Sequence, residues 1–177
     1  MKYSLPIIIA ILLVFAPFLG ILSKQLEGTP NAPEIPFHTA AHKNSRSLPQ
    51  HITSTLTVGP QNGTITVRDI TTVTKGAHLI IQPGTTIAFS EYAGLQIQGS
   101  LTAKGTQTLP ISFISDELNE SNKNWSGIFL EQGSSSEITH AVFHHASPSI
   151  GCDAPSRAVI QNIISLFGNT EIYGDCN

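Results

Sequence analysis

Two cysteines, a cluster of three histidines and a scatter of carboxylates are the residues of this chain with chemistry in reach. His140, His144 and His145 fall within ITHAVFHHA, and three imidazoles suggest zinc. Zinc takes three or four ligands with supporting partners behind them. On a regular strand, adjacent residues point to opposite faces, so His144 and His145 diverge and only two of the three share a side. The expectation is a wall of partly exposed rings and no metal site; His38, His42 and His51 are too loosely spaced to change it. Between Gly76 and Ser115 the single acid is Glu91. Glu131 follows Leu130 toward an outer face, and Glu137 lies at a turn. Asp116, Glu117 and Glu120 sit in SDELNESNKN, which lacks the central glycine and regular acid offsets of a calcium loop and reads as a solvated insertion. No G-x-S-x-G stretch and no Ser–His–acid constellation occurs. Neither a catalytic residue nor a metal or cofactor is therefore expected. Trp125 opens WSGIF and has two readings: it packs at a corner beside Gly127, or it offers its flat face to a sugar. Trp125, Glu131, His140 and His144 together are the expected ligand surface, if the chain has one.

The elements that must position these residues are strands. From about Thr53 onward, TSTLTVG, GTITV, HLIIQPG, TTIAF, GLQIQGSLTA, PISFIS, EITHAVF and RAVIQNIISLF alternate with period two. They are rich in Val, Ile, Thr and Phe and bounded by Gly, Pro, Asn or Ser. No segment there carries an apolar stripe of helical spacing and length. The pairs Thr64/Thr66 and Thr72/Thr74 do not recur at a fixed interval, and they read as solvent-facing strand threonines.

The strands repeat. GAHLIIQPGTTIAF (Gly76–Phe89) aligns with GLQIQGSLTAKGT (Gly94–Thr106), and QGS recurs in WSGIFLEQGS. One unit is strand–turn–strand–turn–strand, which cannot bury its apolar face alone but can when stacked on neighbours. In the coil from Gly94 to Phe113, Leu95, Ile97, Leu101, Ile111 and Phe113 should point inward, with Gln96, Gln98, Thr102, Lys104 and Ser112 outward. Gly99 and Gly105 should mark corners that need either positive φ or a close backbone approach. GAHLIIQPGTTIAF, GLQIQGSLTAKGTQTLPISFIS and NWSGIFLEQGSSSEITHAVFHHA resemble the repeats of right-handed parallel β-helix proteins of bacterial envelopes, and PSRAVIQNIISLFGN resembles a later coil, with Asn162 where that family stacks asparagines in a turn. The resemblance covers about Gly76 to Asn169. It implies an all-β, right-handed parallel β-helix of about four to five coils, but it leaves function open, because the architecture hosts lyases, hydrolases, adhesins and plain scaffolds. Polysaccharide-cleaving members, as the resemblance implies, gather several acids on one outer face; the acids here are scattered. Cys152 and Cys176 stand 24 residues apart, one coil length, in SIGCD and IYGDC. Stacked strands lie about 4.8 Å apart, within reach of a disulfide. A bridge between them is expected, against the alternative of two unpaired thiols in a turn. The last coil should leave apolar interior and strand edge open to end-to-end self-association.

The segment before the strands sets the address. Residues 1–23 hold Lys2 and the uncharged run Leu5–Leu22, just long enough to cross a hydrocarbon core of roughly 30 Å. Two readings lead, an uncleaved N-terminal anchor or a secretory signal cleaved near Gly20 or Ser23, with a buried core helix as the third. Lys2 favours the N-terminus inside, with Lys24 opposing it. Residues 24–52, with Pro30, Pro33, Pro36 and Pro49, read as an extended linker, and 53–177 as the β-helix. From Thr53 on there are five Lys/Arg against ten Asp/Glu, which disfavours nucleic acid and anionic lipid headgroups as partners. The expected function is a non-enzymatic structural or adhesive β-helix, exported and either membrane-anchored facing outward or secreted, that meets a glycan or an envelope protein. The alternative is a carbohydrate-binding or carbohydrate-active protein, and a third reading is a shortened relative of a longer β-helix protein with no activity of its own.

Overall fold

A computed structural model describes residues 46–116, 124–167 and 172–176. The leader, most of the linker and residues Glu117 and Glu120 lie outside them. Among the described residues no helix is long and apolar enough to cross a membrane.

Among the described residues there are fifteen strands: β1 (Arg46–Ser47), β2 (His51–Ile52), β3 (Thr55–Val58), β4 (Ile65–Val67), β5 (Ile70–Val73), β6 (His78–Ile81), β7 (Thr86–Phe89), β8 (Gly94–Ile97), β9 (Ser100–Lys104), β10 (Ile111–Ser115), β11 (Ile128–Leu130), β12 (Ser135–His144), β13 (Ile150–Cys152), β14 (Arg157–Leu166) and β15 (Ile172–Gly174). Successive strands in the chain do not pair with each other. Each strand between the first and last coils pairs in parallel with the strand one coil earlier and one coil later, as in β5–β8, β8–β11, β11–β13 and β13–β15. The result is a parallel β-solenoid of about five turns. One sheet stacks β2, β5, β8, β11, β13 and β15; the other has two legs, β1–β4–β7–β10 and β3–β6–β9, joined at β12.

Stacking in register turns the period-two alternation into columns. Val73, Ile97, Leu130 and Cys152 lie one above the next inside the second sheet. Leu79 and Leu101 do the same in the β3–β6–β9 leg of the first. All are buried, as are Leu95, Ile111 and Phe113. Gln96, Gln98, Thr102 and Ser112 are half-buried on the outside and Lys104 is exposed, so the inward and outward sets match the alternation. Gly105 is a corner of close approach: a Cβ there would collide with the His140 carbonyl oxygen one coil above.

The structure moves the start of the solenoid. Arg46–Ser47 and His51–Ile52 fall within 24–52, read above as linker, yet they pair with β4 and β5. Leu48 and Ile52 supply the buried positions, and the polar side chains face out, so a low apolar content does not prevent a first coil from laying down on the second.

At the other end the core thins. Ala158, Ile160 and Ile163 of β14 occupy inward stations but are only partly buried, since among the described residues no strand covers the far side of β14. Cys152 and Cys176 form a disulfide with Cα atoms 5.2 Å apart. The stations are offset: Cys152 pairs with Gly174, and Cys176 reaches back from two residues further on.

Candidate functional site

The four residues expected to share a ligand surface separate in the fold. Trp125 is not on a surface at all, with 0% of its area exposed. Its ring stacks on Phe89 at 4.0 Å and faces Phe143 at 6.0 Å, and its indole N–H donates to the His144 carbonyl at 2.8 Å. A long insertion separates β10 from β11, and Trp125 closes the interior where that insertion returns, so the packing reading holds and the sugar-stacking one fails.

His140 and His144 belong to the first sheet. β12 is not a single regular strand: His140 sits at φ 49° and turns the chain between the two legs. Asn162, at φ 55°, takes the equivalent position one coil on, and its side-chain nitrogen lies 3.1 Å from the His140 ring nitrogen. Asn162 thus occupies a stacked turn position as the resemblance implied, with a histidine as its neighbour. Beside this corner Thr106, Gln107 and Pro110 overhang Val142 and Ile164 and leave an open groove of about 530 Å³. His145, at φ 57°, lies just beyond the end of β12 and stacks on Phe167 at 5.5 Å. The strict alternation used to separate His144 from His145 therefore does not extend to His145. Among the described residues, no group of three or more His, Cys, Asp or Glu is placed to hold a metal ion.

Glu131 lies elsewhere, on the outer face of the second sheet, and here the structure assembles a surface. One outward column runs Thr72, Gln96, Phe129, Gly151, Tyr173 on five successive coils. Phe129 is 40% exposed and Tyr173 70%. Between them Gly151 has no side chain, and the Phe129 ring leans across it and buries it: a Cβ on Gly151 would come within 2.8 Å of the ring carbon Cδ2. The ring therefore lies down on the sheet, with its free face toward solvent.

Polar groups border the rings. Thr72 Oγ1 donates to Gln96 Oε1 at 3.0 Å, and Gln96 Nε2 donates in turn to Glu131 Oε1. Gln98 Nε2 reaches the same oxygen at 3.4 Å. This row fixes the rotamers of two amides and one carboxylate before any ligand arrives, which lowers the ordering cost of binding. Along the adjoining edge, Asp153 follows Cys152 as Glu131 follows Leu130, and Asp175 follows Gly174 in the same way, so three acids occupy the same edge of three successive coils.

Alternation alone assigns Phe129 outward, because it lies between Ile128 and Leu130, both buried. Its role depended on what stands above it, and that required the register pairing Phe129 with Gly151 and Gly151 with Tyr173. No family model matches the chain, and no curated protein or solved structure matches it either.

Proposed function

We propose that this chain is an exported, non-enzymatic β-solenoid that presents the outer face of its second sheet at a bacterial cell envelope, in a structural or adhesive role. The observation that carries the reading is Phe129, an aromatic ring held flat and solvent-facing over Gly151 on a sheet whose backbone is ladder-bonded from coil to coil. A protein that presents a surface needs such a rigid and repeating frame, and a solenoid supplies it without a closed pocket. The apolar run Leu5–Leu22 and the proline-rich segment after it support an address outside the cytoplasm, held at the membrane or released from it. The Cys152–Cys176 bridge agrees with an oxidising compartment.

A fusion of alkaline phosphatase, which is active only outside the bacterial cytoplasm, to the C-terminus of the full chain tests the address. Activity in whole cells is expected. An inactive fusion that is nonetheless present at full length removes the export reading.

One observation favours a second, carbohydrate-active reading. Glu131, Asp153 and Asp175 stand on one edge of three neighbouring coils, and paired carboxylates are the usual equipment for cleaving glycosidic bonds. Turnover of pectin, alginate or a neutral glycan that is abolished by Glu131→Gln would establish it.

A further inference from the structure

We propose that the column Phe129–Gly151–Tyr173 is a binding site for a neutral, β-linked polysaccharide whose chain runs along the solenoid axis. The proposal deepens the reading of this sheet as the presented face and rests on it. Phe129 and Tyr173 are two strands apart in one column, which places them roughly 10 Å from each other along the axis. Gly151 lets the Phe129 ring lie down over the strand between them, and the column continues toward the earlier coils through Gln96 and Thr72. The column is straight and spans five successive coils, which suits an extended polymer better than a compact molecule.

The chemistry of the border selects the occupant. A pyranose ring with equatorial substituents offers C–H groups on its two faces and hydroxyls around its rim. The C–H faces complement the electron-rich faces of Phe129 and Tyr173. The hydroxyls complement the row beside the rings. A carboxylate has about four lone-pair sites, and two amides converge on one oxygen of Glu131, so the other oxygen is free of those two contacts and can accept from a sugar hydroxyl. Gln96 and Gln98 are already oriented by the same carboxylate. Charge excludes the acidic glycans: Glu131, Asp153 and Asp175 line the edge, and uronates would meet like charge there. A nucleic acid strand, which also stacks on aromatic rings, is excluded on the same ground, since phosphates need cations alongside the stack. An apolar protein partner would cover the rings but would bury the Gln96–Glu131 row without replacing its water.

Titration calorimetry on the full-length protein in detergent, with cellohexaose as the neutral probe and hexagalacturonate as the acidic one, tests the site. Cellohexaose should bind and hexagalacturonate should not. Phe129→Ala and Tyr173→Ala should each weaken cellohexaose binding by at least about tenfold, and Phe129→Tyr should retain it. Tyr173 is largely exposed, so its loss reports on the ligand rather than on folding. No binding of cellohexaose by the native chain overturns the proposal, as does binding that both alanine variants leave unchanged. Failure here with an active phosphatase fusion removes the saccharide site and leaves the exported scaffold standing; an inactive fusion removes the address whatever the calorimetry shows.

Discussion

Ile97 and Gln96 are adjacent in sequence and opposite in consequence. Ile97 is fully buried between Val73 and Leu130, whereas Gln96 lies on the outer face in the row leading to Glu131. Ile97→Ala should lower the free energy of unfolding by about 2–5 kcal/mol, through lost burial and the cavity left in a column that cannot collapse sideways. Gln96→Ala should cost less than about 0.5 kcal/mol. Urea denaturation of the two variants measures both, and similar losses would mean that the inward face has been misassigned. Ser136 offers the reverse case. It occupies an inward station between Leu101 and Ala158, and its buried hydroxyl has no hydrogen-bond partner. Removing an unpaired buried hydroxyl relieves its desolvation cost, so Ser136→Ala should raise stability by about 1 kcal/mol in the same assay. Residue-level burial was largely legible beforehand, because period two assigns the two faces of a strand. Trp125 was not fully legible, since a large aromatic after an insertion suits a corner and a platform equally until its neighbours Phe89 and Phe143 are known.

At the scale of elements, among the described residues the ladders from β5 to β12 are flanked on both sides, whereas β14 and β15 each have a neighbour on one side. β14 has partly buried inward residues, and β15 is three residues long. The Cys152–Cys176 bridge ties this coil down by closing a loop with a sequence separation of 24. In the chain-entropy account such a loop is worth roughly 3 kcal/mol. Because each coil contacts only its neighbours, the effect should stay local. The variant Cys152→Ser/Cys176→Ser should show faster amide hydrogen exchange in β13, β14 and β15, with β5 to β9 protected as before. Uniform loss of protection along the chain would contradict nearest-neighbour stability. The sequence pointed to the pairing of the two cysteines through their 24-residue interval. The offset, with Cys152 opposite Gly174, was hidden because the coil spacing varies: Ile150 pairs with Ile172, but Leu95 pairs with Ile128 across the inserted loop.

For the whole molecule, the question is where the solenoid is held. If Leu5–Leu22 is retained as an anchor, full-length protein should stay in the membrane pellet after alkaline carbonate extraction. A mature chain beginning between Ile21 and Leu26 would instead establish a cleaved signal and a released rod. Either outcome is compatible with an exposed second sheet. The acidic balance after Thr53 bears on the same scale: it leaves few cations to pair with phosphates, so the glycan partner proposed above is a neutral one.

The sequence by itself determined the architecture. Alternation, turn residues and repeating glycines are local, and once each unit can bury its apolar face only on a copy of itself, a parallel stack follows. It also determined which side chains of a coil face in and which face out. The surface was decided by tertiary structure alone. Which outward residue lies above which depends on the number of residues that each corner absorbs, and a corner absorbs one residue at His140 or six from Gly105 to Pro110 with no change in the strands it joins. That count placed Phe129 beneath Gly151 and Tyr173, brought Glu131 to Gln96, and took Trp125 out of solvent.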